Sequence, residues 1–165
     1  MESLNVGNAM KKHTIRKANI DDVEQISGLL FALKKLYGSC TEETSSEFSC
    51  NYHQAIAKAI DNPNSSPIIV ATDDSDEIVG FLSGTVRHVI RLAGSVGVFE
   101  EVFVKKEWRQ LGIGKAMADA LESEFARLGV HSIEMVSSLA HPGQRDFAQS
   151  IGIAWYSNIH RKTLR

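Results

Sequence analysis

A glycine turn between an apolar strand and an amphipathic helix carries the clearest chemical signal in this sequence. The strand is predicted to end at Val104, and the helix is predicted to open at Gly112 and Gly114. The first N–H groups of a helix have no partner within the helix, and the helix dipole adds partial positive charge at that end. Arg109 and Lys115 add full positive charges nearby. Together these features predict a cradle for a phosphate or pyrophosphate group.

Three phosphate-binding patterns compete for this turn. A Walker A loop requires GxxxxGK[ST], which fails because Ala116 follows Lys115. A Rossmann turn requires GxGxxG, which fails because Met117 stands at the third glycine position. The pattern [RQ]xxGx[GA] is matched in full by Arg109-Gln110-Leu111-Gly112-Ile113-Gly114. The alternative is a helix that merely starts after a glycine turn, but the basic residues and the preceding strand favour the cradle.

Two adjacent carboxylates interrupt the apolar strand just before the turn. Because side chains alternate along a strand, Glu100 and Glu101 are expected on opposite faces unless a bulge intervenes. At least one of them should then lie near buried surface, where burial raises a carboxyl pKa and suits it to act as a general base. The alternative is that both lie on an exposed strand face.

The spacing of apolar residues predicts the elements that position these groups. Strands are predicted over residues 13–18, 67–72, 78–89, 96–104 and 132–136, with two further short strands within 153–164. Helices are predicted over 20–37 (capped by Asn19 and stopped by Gly38), 53–60, 112–128 and 143–150, and residues 40–51 are predicted to form a polar loop. The middle strands are expected to form an antiparallel meander. The strand over 132–136 is expected to pair in parallel with the strand over 96–104, because the helix over 112–128 connects them. The predicted fold class is mixed α/β, with a central sheet of about six to seven strands and flanking helices.

Composition excludes several classes of protein. The chain has 165 residues and a formal net charge of −2, which predicts one domain over 13–165 after a flexible tail of residues 1–12. This charge balance argues against a nucleic-acid partner, and no apolar run reaches the roughly 18–20 residues of a membrane span. The N-terminus lacks a secretory pattern and Cys40 and Cys50 form no CxxC motif, so a cytoplasmic location is expected. The six scattered histidines have no zinc-site spacing, and no metal is predicted.

Over residues 98–116 the chain resembles the GCN5-related N-acetyltransferase (GNAT) family, and the element order extends this resemblance over 13–165. The resemblance implies acetyl-coenzyme A as cosubstrate, with its pyrophosphate in the glycine turn. It also implies a bulge in the preceding strand and a pantetheine arm that pairs with the strand's open edge. The implied cofactor-binding residues are Val102, Phe103, Val104, Arg109, Gln110, Leu111, Gly112, Ile113, Gly114 and Lys115. Lys106 departs from the family, which often has proline there.

The resemblance further implies an acyltransferase that moves an acetyl group to a primary amine of a small molecule or peptide by direct attack. Glu100 is then the expected general base, and Glu101 is expected to orient the substrate or hold its cation. Ala148 stands where the family often has a tyrosine acid, and neither Tyr156 nor His141 has a spacing that supports it as a substitute. A non-catalytic acyl-coenzyme A sensor is the alternative, and a different nucleotide binder is a second one. Homodimers are frequent in the family, so a homodimer is a further option.

The acceptor end in this family is built from the first two helices, the connection between the second and third strands of the meander, and the C-terminal strands. Acidic residues within 40–47 would attract a cationic amine, whereas Arg87 and Arg91 would favour a substrate carboxylate. The sequence does not decide between these acceptors.

Overall fold

The structure, a computed structural model, describes residues 12–36, 45–135 and 142–154, with the backbone alone at 45–50 and 142. The strands are β1 (Thr14–Lys17), β2 (Ile68–Thr72), β3 (Ile78–Val89), β4 (Gly94–Val104) and β5 (Val130–Met135). The helices are α1 (Val23–Leu36), α2 (Ser45–Ile60), α3 (Ile113–Arg127) and α4 (Pro142–Ser150). Among these residues no helix has the length and apolar character needed to cross a membrane.

The strands form one mixed sheet in the order β1-β2-β3-β4-β5. The first three pairings are antiparallel, and β4 pairs with β5 in parallel across α3. The predicted mixed α/β class, the meander and the parallel pair are therefore confirmed. The described residues hold five strands, fewer than the predicted six to seven. The two additional strands were predicted within 153–164, of which 155–164 lie outside the described residues and 153–154 are not in a strand.

One element boundary differs substantially from the prediction. Helix α2 begins at Ser45, so the predicted loop over residues 40–51 is wrong from residue 45 onward. Phe48, Tyr52 and Ile56 recur at the four-residue spacing of a helix, but the polar residues around Phe48 favoured a loop. Ile56 is buried in the core, and Tyr52 packs against it.

Two apolar layers enclose the sheet. On one face α3 packs against residues that include Val79, Leu82 and Phe99. On the other face α1 and α2 pack against residues that include Phe81 and Phe103. Because alternate residues of β3 and β4 reach different layers, the layer that a side chain joins identifies its face of the sheet.

Helix α3 approaches the sheet closely at Gly97. A Cβ atom at that position would lie 2.5 Å from the Phe125 ring, which is closer than carbon atoms can pack. Phe125 itself is fully buried and stacks on Phe99, with 5.9 Å between the ring centroids. The glycine thus lets α3 lie close against β4 and fixes the height of the helix over the sheet.

A buried carboxylate ties α3 to the edge strand. Glu124 is 5% exposed, and its oxygens lie 2.7 Å from Lys17 Nζ on β1 and 2.6 Å from an Arg127 guanidinium nitrogen. Hydrogen bonds from Arg127 and Lys17 lower the pKa of Glu124 from 4.5 to about 2, although burial opposes this. The contact anchors the C-terminal half of the helix whose N-terminus forms the glycine turn.

Candidate functional site

A β-bulge interrupts the pairing of β3 with β4. Leu82 is paired with Val102, whereas Gly84 is paired with Phe99, so Ser83 faces two residues of β4. Those two residues are Glu100 and Glu101. A bulge of this kind leaves the extra residue outside the regular ladder and bends the strand locally.

The bulge places both glutamates on the α1 and α2 face of the sheet. Glu100 accepts a 2.7 Å hydrogen bond from the Thr85 hydroxyl, and Thr85 lies on the face opposite Gly84 and α3. Glu101 interacts electrostatically with Lys34 of α1. Strand alternation predicted the two carboxylates on opposite faces unless a bulge intervened. The structure contains that bulge, and the two carboxylates share a face.

The two carboxylates have different surroundings. Glu100 is exposed to solvent, whereas Glu101 is half-buried. Burial raises the pKa of Glu101 above its usual 4.5, an effect opposed by the positive charge of Lys34 and reinforced by the negative charge of Glu100. The raised pKa of Glu101 moves toward neutrality, which is the property required of a general base.

Beyond the bulge, the described residues include no strand paired with β4 on its side away from β3. The pairing with β5 is described as far as Phe99 and Met135, and residues 136–141 lie outside the described ranges. We call the side of Val102–Val104 that faces away from β3 the open edge. The Lys105 N–H donates to the Val79 carbonyl at 2.8 Å, which makes Val104 a non-hydrogen-bonded partner of Gly80. By the same alternation, the main-chain groups of Val102 and Val104 point away from β3, toward the open edge.

The glycine turn opens onto the N-terminus of α3. A short 3₁₀ turn, Lys106–Trp108, leads into it, and Gln110 and Gly112 both have left-handed backbone angles, with φ of 61° and 79°. Gly112 occupies the N-cap position and provides no side-chain bond to the helix. The first helical bond runs from Ala116 N–H to Gly112 C=O at 2.9 Å, so the N–H groups of residues 113–115 have no acceptor within the helix.

Open space surrounds this helix start. A Cβ atom built on Gly112 meets nothing within 4 Å, so the turn has room for a ligand against its main chain. The Ile113 side chain is 1% exposed and belongs to the core, so only its main chain can take part in the predicted cofactor site. Gly114 has a different steric role, because a Cβ atom there would lie 3.1 Å from the Phe147 ring of α4.

The predicted cations around the turn are not equivalent. Lys105 forms an ion pair with Glu77, and Lys115 lies 3.1 Å from Asp119, one helical turn away. Arg109 is exposed, and its Nε donates a 2.9 Å hydrogen bond to the Val104 carbonyl at the open edge. This bond joins the glycine turn to the end of β4, so Arg109 links the two halves of the site.

The structure brings together some of the predicted residues and leaves others untested. Glu100, Glu101, the open edge and the glycine turn all lie along one stretch from the β4 bulge to the start of α3. Ala148 is buried at 9% exposure and offers no hydroxyl, while His141 and Tyr156 lie outside the described residues. Within the described ranges, no group of three metal-ligating side chains is present.

The model of the acetyltransferase (GNAT) family matches residues 30–153, which is most of the chain. The chain belongs to this family. The predicted resemblance is confirmed, and the glycine turn and the bulge both fall within the matched residues. Members of the family generally use acetyl-coenzyme A. No curated protein matches the chain at the level of sequence.

Solved structures share the fold of this GNAT chain, and they include two acetyltransferases and a transcriptional regulator. An aminoglycoside acetyltransferase from an uncultured soil metagenomic sample has a TM-score of 0.73 at 20% identity, over 93% of this chain and 97% of that chain. Glucosamine-6-phosphate N-acetyltransferase from Arabidopsis thaliana has a TM-score of 0.73 at 18% identity, over 94% and 100%. A transcriptional regulator from Bacillus halodurans has a TM-score of 0.77 at 22% identity, over 93% and 100%.

Three residues of this GNAT site carry no signal in the sequence. Ser83 and Thr85 contact the bulge from β3, and Lys34 approaches Glu101 from α1. A serine and a threonine in a strand are unremarkable by type, and they gain meaning only when the register places them opposite the two glutamates.

Proposed function

We propose that this GNAT protein is an N-acetyltransferase that moves an acetyl group from acetyl-coenzyme A to a primary amine of a small molecule or peptide. The observation that carries the proposal is the bulge, which puts two carboxylates on one face beside an open strand edge. Transfer to an amine needs a base, because an alkyl ammonium with a pKa near 10.4 must lose a proton before it can attack.

The residues present suit acetyl-coenzyme A. Unbonded N–H groups at residues 113–115, the open space at Gly112 and the exposed Arg109 match the anionic pyrophosphate. The main-chain groups of Val102 and Val104 match the amides of the pantetheine arm, which would add to the edge as a short β-strand. When bound, acetyl-coenzyme A supplies an acetyl group activated as a thioester.

The Val102 N–H, the carboxylates at the bulge and the face that carries them would then have different roles in the transfer. The N–H of Val102, next to the bulge, lies on the open edge and is suited to donate a hydrogen bond to the acetyl carbonyl oxygen. A carboxylate at the bulge receives the proton that the ammonium gives up, directly or through water. The amine acceptor would lie on the α1 and α2 face, where both glutamates point.

Burial leads us to propose Glu101 as the general base and Glu100 as the residue that orients the amine, the reverse of the division expected from sequence. The raised pKa of Glu101 increases the basicity of its carboxylate. Glu100 is exposed and bound to the Thr85 hydroxyl, so its carboxylate has a fixed position at the mouth of the site.

The test is coenzyme A thiol release on a panel of amines, with Glu101→Gln and its neighbour Glu100→Gln as matched variants. We expect Glu101→Gln to lower kcat by about 100-fold, a typical contribution of a general base, with no change in acetyl-coenzyme A affinity. Glu100→Gln should mainly raise KM for the amine. In the wild-type protein, kcat/KM should decrease as the pH is lowered and Glu101 takes up a proton. The midpoint of this decrease should lie above pH 4.5, because burial raises the Glu101 pKa. Unchanged turnover in Glu101→Gln would remove it as the base.

Ala148 favours one alternative function, a non-catalytic acyl-coenzyme A sensor. A buried alanine at that position cannot protonate a departing thiolate. Thermal shift measurements separate the cases: a ligand at 100 times its Kd stabilises the fold by about 2.7 kcal/mol. Stabilisation by acetyl-coenzyme A without thiol release on any amine would favour the sensor. Stabilisation by ATP or NAD alone would contradict the cofactor assignment.

A further inference from the structure

A side chain of β3 contacts the main chain of the bulge in β4. The Glu101 N–H donates a 3.2 Å hydrogen bond to the Ser83 hydroxyl oxygen. Ser83 is the residue that faces the two bulge residues, because its neighbours Leu82 and Gly84 are paired with Val102 and Phe99. A bulge disrupts the regular ladder locally, so a side-chain acceptor at this point helps to hold the main chain of the bulge in place.

No other side chain of β3 is placed to do this. Leu82 points into the α3 layer of the core, and Gly84 cannot carry a side chain because a Cβ atom would lie 2.7 Å from the Phe125 ring. Ser83 and Thr85 share the α1 and α2 face, since they alternate with these two residues. Thr85 bonds the Glu100 carboxylate at 2.7 Å, so the two hydroxyls of β3 hold different parts of the bulge.

We infer that Ser83 is a positioning residue that aims the Glu101 carboxylate by holding the Glu101 main chain, an inference that rests on the function proposed above. Fixing the N–H fixes the direction of the Cα–Cβ bond and so the region that the carboxylate reaches. Without the hydroxyl, a half-buried N–H loses its acceptor, and the bulge can shift along the strand to recover one. A shift of one residue would turn Glu101 to the α3 face.

The cofactor-binding parts of the site are held independently. The Val104 register is set by the bond from Lys105 N–H to the Val79 carbonyl, and the glycine turn is joined to β4 through Arg109. Loss of the Ser83 hydroxyl should therefore affect base catalysis more than acetyl-coenzyme A binding. General destabilisation of the fold would instead reduce catalysis and acetyl-coenzyme A binding together.

The test compares Ser83→Ala with Ser83→Thr, which restores a hydroxyl, and with Ser123→Ala. The Ser123 hydroxyl donates to the Asp119 carbonyl on the exposed surface of α3, so this control loses a serine hydroxyl away from the site. We expect Ser83→Ala to lower kcat by about 10- to 100-fold, the cost of displacing a catalytic group by about 1 Å. The pH at which kcat/KM decreases on acidification should also change in Ser83→Ala. The Kd for acetyl-coenzyme A should stay within about 3-fold of wild type, since the register beyond the bulge is retained.

Amide hydrogen exchange at Glu101 is the second measurement and does not depend on turnover. Exchange there should be faster in Ser83→Ala and restored in Ser83→Thr, with Ser123→Ala like wild type. If wild type shows no turnover on any amine, the proposed function fails, while the exchange result still decides whether Ser83 holds the bulge. Wild-type kcat and pH dependence in Ser83→Ala, or unchanged exchange at Glu101, would overturn the inference. An equal loss of kcat and acetyl-coenzyme A affinity would also overturn it.

Discussion

Replacing Glu124 by glutamine tests how firmly α3 is anchored to the sheet. The folded protein lowers the pKa of Glu124 from 4.5 to about 2 through Arg127 and Lys17. A depressed carboxyl pKa stabilises the fold at pH values above about 4.5, where the carboxylate is charged in both states. That stabilisation is lost as the pH falls from about 4.5 toward 2, because the unfolded chain takes up the proton first.

The magnitude follows from the pKa and from the exposure of the partners. A fall from 4.5 to about 2 corresponds to roughly 3 kcal/mol, at about 1.4 kcal/mol per pH unit. The Lys17 and Arg127 side chains are 56% and 55% exposed, so solvent screens both charges. We therefore expect a contribution of about 1–2 kcal/mol to the free energy of unfolding at neutral pH, between that of a surface pair and that of a buried one.

The assay is urea unfolding at pH values from 7 down to 3.5, with Glu122→Gln as a control that removes one negative charge from the same helix. Glu124→Gln should be less stable than wild type by about 1–2 kcal/mol at pH 7, and the difference should shrink as the pH falls. Glu122→Gln should not show this convergence. A difference between Glu124→Gln and wild type that stays constant from pH 7 to 3.5 would refute the reasoning.

Three glycine substitutions test the packing of α3 and the backbone at its two ends. Gly97→Ala places a Cβ atom 2.5 Å from the Phe125 ring and should lower the free energy of unfolding by about 2–3 kcal/mol; a loss below about 0.5 kcal/mol would contradict the packing. Gly112→Ala and Gly129→Ala each force alanine into left-handed backbone, at φ of 79° and 73°, at a cost of about 1–2 kcal/mol. Of these two, only Gly112→Ala should weaken acetyl-coenzyme A binding in a thermal shift titration, and equal weakening by both would place the cradle elsewhere.

The order of elements and the glycine turn could be predicted because each depends on local pattern. Helix α3 shows its apolar residues at helical spacing, and the strand before it is apolar on both sides of its two glutamates. The first turns of α2 were missed because polar residues around Phe48 favoured a loop. The shared face of Glu100 and Glu101 was also hidden, because alternation alone predicts opposite faces.

The geometry of the candidate site depends on how β3 and β4 pair. Whether β4 carries an extra residue depends on how it registers against β3, which joins residues about 20 positions apart in the chain. Ser83 gains its contact with Glu101 through that register and through no motif. Likewise, the ion pairs of Lys105 and Lys115 were not visible from the sequence, where both residues counted only as positive charge.

Strand β4 can be described as a regular strand with one inserted residue at the bulge. Phe99 and Val102 belong to the α3 layer, and Phe103 belongs to the opposite layer. If either glutamate were deleted, these core residues would keep strict alternation and their present faces. The core therefore does not need the insertion. Its effect lies at the site, where it gives one face of the sheet a second carboxylate.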